Sequence, residues 1–177
     1  MRIVAGTRKG HRLEAPKGPG TRPTGDRVRE AAFALVGPVE GAKVLDVFAG
    51  SGALGLEALS RGATRCVFVE SHKPACKVIQ RNLEKLRLTG AIVLCQEATR
   101  VLRDERARGE RYDLILVDAP YEDWERHEKA LGALLPDLLE TDGLAVVETS
   151  SRVEPDLPLA LVTTRRYGSA RITVFSR

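Results

Sequence analysis

The chain has 177 residues, 43% of them hydrophobic and 29% charged, which suits one globular domain with a single core. No apolar stretch approaches the roughly 20 residues of a membrane-spanning helix. The N-terminal segment also lacks the apolar region of a secretory signal. These features argue against a membrane or secreted protein, and we expect a cytoplasmic protein. The sequence leaves the oligomeric state open, and our expectation is a monomer.

The cysteines and histidines show no pattern typical of a metal site. Cys66, Cys76 and Cys95 are scattered, odd in number and without C-x-x-C spacing. The histidines lack ligand spacing as well. We therefore expect no metal and no disulfide framework, as in a reducing compartment.

The net charge of +4 is unevenly distributed along the chain. Residues 1–30 hold eight Lys and Arg against three acids, a net of +5, so the remainder sums to about −1. Positive charge concentrated at one end is typical of a segment that holds a nucleic-acid backbone through counterion release. Basic side chains that merely solvate a surface are the alternative.

The N-terminal part predicts a small hairpin followed by a helix. Residues 2–5 and 11–14 resemble short strands around a glycine-containing turn. Glycine and proline predict a loop over 17–23, and Thr24 would cap a helix that ends before Gly37-Pro38.

From residue 42 onward, strand-like and helix-like segments alternate. The predicted strands cover residues 43–48, 65–69, 91–95, 112–117 and 143–147, with helices over 53–61, 73–88, 99–108 and 124–139. Two more strand-like segments, 159–165 and 170–175, flank a Tyr-Gly-Ser turn. This order predicts an α/β fold with a doubly wound, mostly parallel sheet that ends in an antiparallel hairpin. Ligands of such sheets bind beyond the carboxyl ends of the strands.

A glycine-rich turn follows the first strand of this region, where Asp46 precedes Gly50-Ser-Gly52-Ala-Leu-Gly55. Glycines let the backbone approach a ligand closely, and the free N–H groups of the next helix favour an anionic group such as a carboxylate. Glu70, at the end of the second strand, can accept both hydroxyls of a ribose. Glu97, after the third strand, would lie near an adenine edge or would be a solvated acid.

The same turn matches G-x-G-x-x-G, the dinucleotide fingerprint, so a nicotinamide cofactor and a turn without ligand stay open. Asp46 favours S-adenosylmethionine instead, because it can reach the amino-acid end of that ligand. The motif at the fourth strand, which a dehydrogenase does not need, favours it too.

The fourth strand ends in Asp118-Ala119-Pro120-Tyr121, close to the D/N-P-P-Y motif of amino-group methyltransferases. An exocyclic base amine is a poor nucleophile, because its lone pair is delocalised into the ring. The Asp118 carboxylate and the Ala119 carbonyl can accept its two N–H groups and hold the nitrogen toward a methyl donor. Pro120 fixes the chain direction, and a flipped base can stack on Tyr121, a contact worth about 1–3 kcal/mol.

Structural roles compete with these functional ones. Asp118 can cap a turn, and Tyr121 can pack in the core. Trp124 either extends the stacking platform or is buried at the start of a helix.

These motifs, with the opening Met1-Arg-Ile-Val-Ala-Gly6 and the run Thr21-Arg-Pro-Thr-Gly-Asp-Arg-Val-Arg-Glu-Ala-Ala-Phe33, resemble the RsmD-type 16S rRNA guanine-N2 methyltransferases over essentially the whole chain. The resemblance implies a Rossmann-like class I fold with a seven-stranded sheet and a small N-terminal β-hairpin. It implies methyl transfer from S-adenosylmethionine to the 2-amino group of a guanine in 16S rRNA, within assembled 30S subunits. Residues 1–23 would be a basic RNA-binding extension, and residues 24–177 the methyltransferase domain.

By the same resemblance, Asp118, Ala119, Pro120 and Tyr121 would surround the guanine. The residues that would hold the donor are Thr24, Arg27, Asp46, Phe48, Gly50, Gly52, Glu70 and Glu97. Those that would contact RNA are Arg8, Lys9, Arg12 and Arg22. One departure is Ala119, where the family usually has proline; the backbone carbonyl remains, but the rigidity of a double proline does not.

Other functions stay open. The acceptor could be adenine in DNA or a protein amine, although the chain has no target-recognition domain of the size that DNA enzymes carry. A nicotinamide oxidoreductase and a non-catalytic RNA-binding assembly factor are the remaining alternatives.

Overall fold

A computed structural model describes residues 1–16 and 25–177. Its seven strands are β1 (Lys43–Val47), β2 (Arg65–Val69), β3 (Ala91–Leu94), β4 (Tyr112–Asp118), β5 (Leu139–Ser150), β6 (Ala160–Tyr167) and β7 (Ala170–Ser176). Its five α-helices are α1 (Asp26–Val36), α2 (Ala53–Ser60), α3 (Lys73–Leu86), α4 (Ala98–Ala107) and α5 (Trp124–Leu138). Two short 3₁₀ turns cover Gly6–Arg8 and Tyr121–Asp123.

All seven strands form one sheet in the order β3-β2-β1-β4-β5-β7-β6. Neighbouring strands from β3 to β5 are parallel, whereas β7 runs antiparallel to both β5 and β6. This confirms the predicted mixed sheet. The strand order reverses between β1 and β4, and the crevice at the carboxyl ends of these two strands is where such sheets bind ligands.

Helices cover both faces of the sheet, because alternate residues of each buried strand point to opposite sides. Leu114 and Leu116 pack with α1, α2 and α3, whereas Ile115 and Val117 pack with α4 and α5. Ile3 and Leu13 from the N-terminal segment are buried in the first of these two cores. The N-terminal segment therefore lies on the α1–α3 side.

The N-terminal hairpin is smaller than expected. A single β-bridge joins Arg2 and Arg12, and Ile3 N and Leu13 N donate to the carbonyls of His11 and Met1. Gly6, at φ +79°, allows the turn to approach α2 so closely that a Cβ there would lie 1.8 Å from the Ser60 carbonyl oxygen. Contact with α2 replaces the strand pairing that the sequence suggested.

Two further expectations concern the ends of elements. Strand β5 begins at Leu139 rather than 143, since Leu139 already pairs with Tyr112 before the register shifts. Helix α1 begins at Asp26 after Gly25, without a side-chain cap. The expected cap Thr24, the loop over 17–23 and Arg22 lie outside the described residues.

Within the described ranges, no helix combines the length and apolarity that crossing a bilayer requires.

Candidate active site

The loop between β1 and α2, residues 48–52, is here called the glycine loop. Phe48 adopts φ +62°, which strains a residue other than glycine. Gly52 adopts φ +79° directly before α2. Such strain concentrates at ligand-binding sites, and the loop lies at the reversal of strand order.

Asp46, near the end of β1, is 1% exposed. Its Oδ2 accepts a hydrogen bond from Gly55 N at 2.9 Å, while its Oδ1 is buried without a hydrogen-bond partner. Burial raises the pKa of Asp46 to about 8; the Gly55 amide opposes the shift, and the carboxylates of Asp118 and Glu70 add to it. An unpartnered buried oxygen of this kind fits a cationic amine of a ligand.

Glu70 joins the glycine loop to the end of β2. Its Oε2 accepts from Gly50 N at 2.8 Å, and its Oε1 accepts from His72 N at 2.7 Å. Each carboxylate oxygen has a second lone pair, so both can also accept from ribose hydroxyls.

Glu97 caps α4, a role that neither sequence interpretation gave it. Its carboxylate accepts from Thr99 N at 3.0 Å and from Arg100 N at 2.9 Å. Although partial burial acts in the opposite direction, these amides lower the pKa of Glu97, with a smaller contribution from His127. Glu97 is therefore ionised and oriented at the carboxyl edge of the sheet.

Residues 118–121, here called the acceptor loop, follow β4. Asp118 pairs in register with Glu148 of β5. Ala119 is 2% exposed, and Pro120 has the extended conformation φ −52°, ψ 129°. The Pro120 carbonyl accepts from Asp123 N at 3.0 Å, which forms the 3₁₀ turn that begins at Tyr121.

Tyr121 is partly exposed and anchored at its hydroxyl, which donates to Glu148 Oε1 at 3.0 Å. Glu148 was missed at the level of sequence. A signal was present, because Glu148 follows Val146 and Val147 as a single acid at the carboxyl end of a buried apolar strand, but no motif like that at Asp118 accompanies it.

Phe48 and His127 form an aromatic pair between the glycine loop and α5. The ring of Phe48 lies 4.7 Å from that of His127, centre to centre, at an angle of 54°. Trp124 is 2% exposed, belongs to the second core and donates from Nε1 to Glu128 at 2.9 Å. Packing at the helix start is thus the correct interpretation of Trp124.

Two thiols meet beside the backbone of Glu70, although their spacing in the sequence does not predict this contact. Cys76 Sγ lies 2.7 Å from Cys95 Sγ and 3.3 Å from the Glu70 carbonyl oxygen. Burial, followed by the contact with Cys95, raises the pKa of Cys76 to about 12. Both cysteines are free thiols.

The predicted RNA-contacting residues differ in their surroundings. Lys9 and Arg12 are exposed, as is Arg27 in the first turn of α1. Arg8 is partly buried, and its guanidinium donates to the carbonyls of Leu86 and Arg87 at the end of α3. Arg22, like Thr24, falls outside the described residues.

Arg29 contributes nothing to the basic surface, because it is 0% exposed. It pairs with Glu57 at 3.4 Å and with Asp26 at 2.9 Å. Glu57, also buried, accepts from Val4 N at 2.8 Å and from Ala5 N at 2.9 Å. This buried network fastens the N-terminal segment to α1 and α2.

Among the described residues, no group of three or more histidine, cysteine or acidic side chains is arranged to hold a metal ion.

A model of the family described as Conserved hypothetical protein 95 matches residues 1–176. The chain is 37% identical to ribosomal RNA small subunit methyltransferase D of Escherichia coli K12 over 163 residues, 89% of this chain and 78% of that protein. The chain belongs to the RsmD family. A second relative in this family, from Haemophilus influenzae, is 35% identical over 90% of the chain and 81% of its own length.

Among solved structures, a hypothetical protein from Thermus thermophilus matches 100% of the chain and 99% of its own with a TM-score of 0.86 at 32% identity. More distant neighbours carry the fold of S-adenosylmethionine-dependent methyltransferases, at TM-scores of 0.74 and 0.69. The RsmD family member described here thus has the fold expected from its sequence.

Proposed function

We propose that the chain transfers the methyl group of S-adenosylmethionine to the 2-amino group of a guanine in 16S rRNA, on assembled 30S subunits. The observation that carries this proposal is the position of two carboxylates. Asp46 near the end of β1 and Asp118 at the end of β4 lie on neighbouring parallel strands, at the point where the strand order reverses. Asp46 suits the methyl donor, and Asp118 suits the base amine that accepts the methyl group.

The donor residues fit S-adenosylmethionine better than a nicotinamide dinucleotide. The buried, unpartnered Oδ1 of Asp46 matches the α-ammonium group, which a dinucleotide lacks. Glu70 would offer its lone pairs to the ribose, while Glu97, Phe48 and His127, which lie near one another, would contact the adenine. Thr24 and Arg27 would close over the methionine end, and the backbone at Gly50 and Gly52 would admit the ligand.

When bound, S-adenosylmethionine supplies an electrophilic methyl group whose departure leaves a neutral thioether. The protein therefore needs no acid for the leaving group, and its contribution is mainly orientation. Asp118 and the Ala119 carbonyl accept the two N–H groups of the guanine amine and hold its nitrogen in line. Asp118 would also receive the proton that the nitrogen loses when the new N–C bond forms.

The base must leave its stack to reach this loop, at a cost of a few kcal/mol. Stacking on Tyr121 offsets part of that cost. Pro120 keeps the preceding residue extended, so the Ala119 carbonyl retains its direction even without a second proline. Lys9, Arg12, Arg8 and Arg22 would hold the surrounding RNA phosphates.

A substrate competition tests the proposal. The protein is incubated with labelled S-adenosylmethionine and either 30S subunits that lack the modification, protein-free 16S rRNA, duplex DNA or bulk protein. We expect label in 16S rRNA, found as N2-methylguanosine after digestion, and a faster reaction with 30S subunits. Label in adenine, in DNA or in protein would contradict it.

A further inference from the structure

Helix α3 carries a row of four cations that the site described above does not use. Lys73, Lys77, Arg81 and Lys85 are spaced four residues apart, so they lie on one face of the helix. All four are exposed, whereas the opposite face of α3 packs into the core through Ala75, Val78, Ile79 and Leu86. These four residues are here called the basic stripe.

The stability of the helix does not account for the stripe. Lys73 is the first residue of α3, where a cation opposes the helix dipole, and the first turn holds no acid. Within residues 1–16 and 25–177, neither Lys73 nor Lys77 has a salt bridge or side-chain hydrogen bond. Arg81 pairs with Glu14 at 2.9 Å, but both side chains stay about half exposed.

One end of the stripe lies beside the proposed donor site, and the other lies beside the N-terminal segment proposed to contact RNA. Lys73 follows His72, whose N–H donates to Glu70 in the donor site. At the other end, Lys85 Nζ donates to the Arg12 carbonyl at 2.9 Å. Twelve residues of helix separate these ends by about 18 Å. The stripe therefore connects the N-terminal basic segment with the glycine loop.

We propose that the basic stripe is a binding surface for the phosphate backbone of the substrate RNA, which runs along α3 from the N-terminal segment toward the active site. The proposal rests on the proposed function and adds a surface to it. Lysine and arginine at helical intervals suit a repeating chain of negative charges, and such contacts position RNA without reading its sequence. An acidic surface of a ribosomal protein is the competing partner.

The test compares two double variants of the full-length protein that remove the same charge. Lys73→Gln with Lys77→Gln changes the stripe. Arg103→Gln with Arg106→Gln is the matched control, because both arginines are exposed on α4, which packs on the opposite face of the sheet. Equilibrium binding to protein-free 16S rRNA and to 30S subunits is measured from 50 to 300 mM KCl, and donor affinity is measured by calorimetry.

We expect the stripe variant to bind 16S rRNA about 5- to 20-fold more weakly at 150 mM KCl. The plot of log K against log salt should become shallower, its slope decreasing in magnitude by about 1.5. The control should match the wild type in both measurements. Donor affinity should not change. Equal slopes for the two variants would overturn the proposal, and so would weaker binding to 30S subunits with unchanged binding to protein-free rRNA, which would indicate a ribosomal protein. The binding measurement does not depend on methyl transfer. If the wild type binds RNA through the stripe but does not methylate it, the proposed function is contradicted and the binding surface is not.

Discussion

The hydroxyl of Tyr121 donates to Glu148 Oε1 at 3.0 Å, and this bond ties the acceptor loop to the strand beside Asp118. A ring held at its far end has less freedom to lose when a base stacks on it. The hydroxyl of Tyr121 thus anchors the ring for the stacking role proposed above, and a phenylalanine would lack this anchor.

Replacing Tyr121 separates these two contributions. Tyr121→Phe keeps the ring and loses the anchor, and we expect kcat/KM on 30S subunits to fall by about 3- to 10-fold, as for a typical hydrogen bond. Tyr121→Ala also loses the stacking, about 1–3 kcal/mol, which lowers kcat/KM by a further factor of about 5 to 150. Equal losses in the two variants would show that the ring does not stack on the base.

The buried carboxyl of Asp46 predicts a pH-dependent stability in the absence of donor. Its pKa of about 8 in the folded chain exceeds the ordinary value of 3.8, so the folded state binds the extra proton between these values. Stability therefore falls as pH rises through that window and levels off above it. Between pH 6 and pH 8 we expect the wild type to lose about 2 kcal/mol, or about 4–8 °C in Tm, relative to Asp46→Asn.

Thermal melts of both proteins from pH 5 to pH 9 check this difference. S-adenosylhomocysteine, which retains the α-ammonium group, should reduce the difference between wild type and variant, because it stabilises the ionised carboxylate. Parallel pH profiles for wild type and variant would contradict the assignment of Asp46.

The buried pair of Glu57 and Arg29 predicts a large loss of stability when one partner is removed. Glu57→Ala leaves the guanidinium of Arg29 buried with one partner fewer and frees the amides of Val4 and Ala5, at a cost of about 3–5 kcal/mol. Glu14→Ala breaks the exposed pair with Arg81 and should cost about 0–1 kcal/mol. Urea unfolding measures both, and similar midpoints would contradict the structural role of Glu57.

The alternation of strands and helices was predictable because buried parallel strands read as continuous apolar runs. Residues 114–117 and 66–69 are such runs, and both lie in strands of the structure. The grouping of Asp46, Glu70 and Asp118 was predictable because parallel strands share one carboxyl edge, whereas Glu148, on the same edge, was missed. What the sequence left open was how these acids are partnered.

Contacts between residues far apart in the chain could not be predicted. The sequence suggests that Arg29 is a surface cation. In the structure it is buried against Glu57, which is 28 residues later in the chain. Cys76 on α3 and Cys95 just after β3 lie 19 residues apart and show no shared spacing. The N-terminal strands were over-predicted, because contact with α2 outweighs local strand propensity.

Replacing Asp118 and measuring methyl transfer tests the proposed chemistry most directly. Asp118→Ala removes the carboxylate that is proposed to orient the amine and to receive its proton, and we expect kcat/KM for N2-methylguanosine formation on unmodified 30S subunits to fall by about 10²- to 10⁴-fold. Donor affinity and 30S binding should stay close to those of the wild type. Mass spectrometry of 16S rRNA nucleosides gives the rate: a loss of this size with binding retained is the predicted result, and an Asp118→Ala protein with more than a tenth of wild-type activity would contradict it.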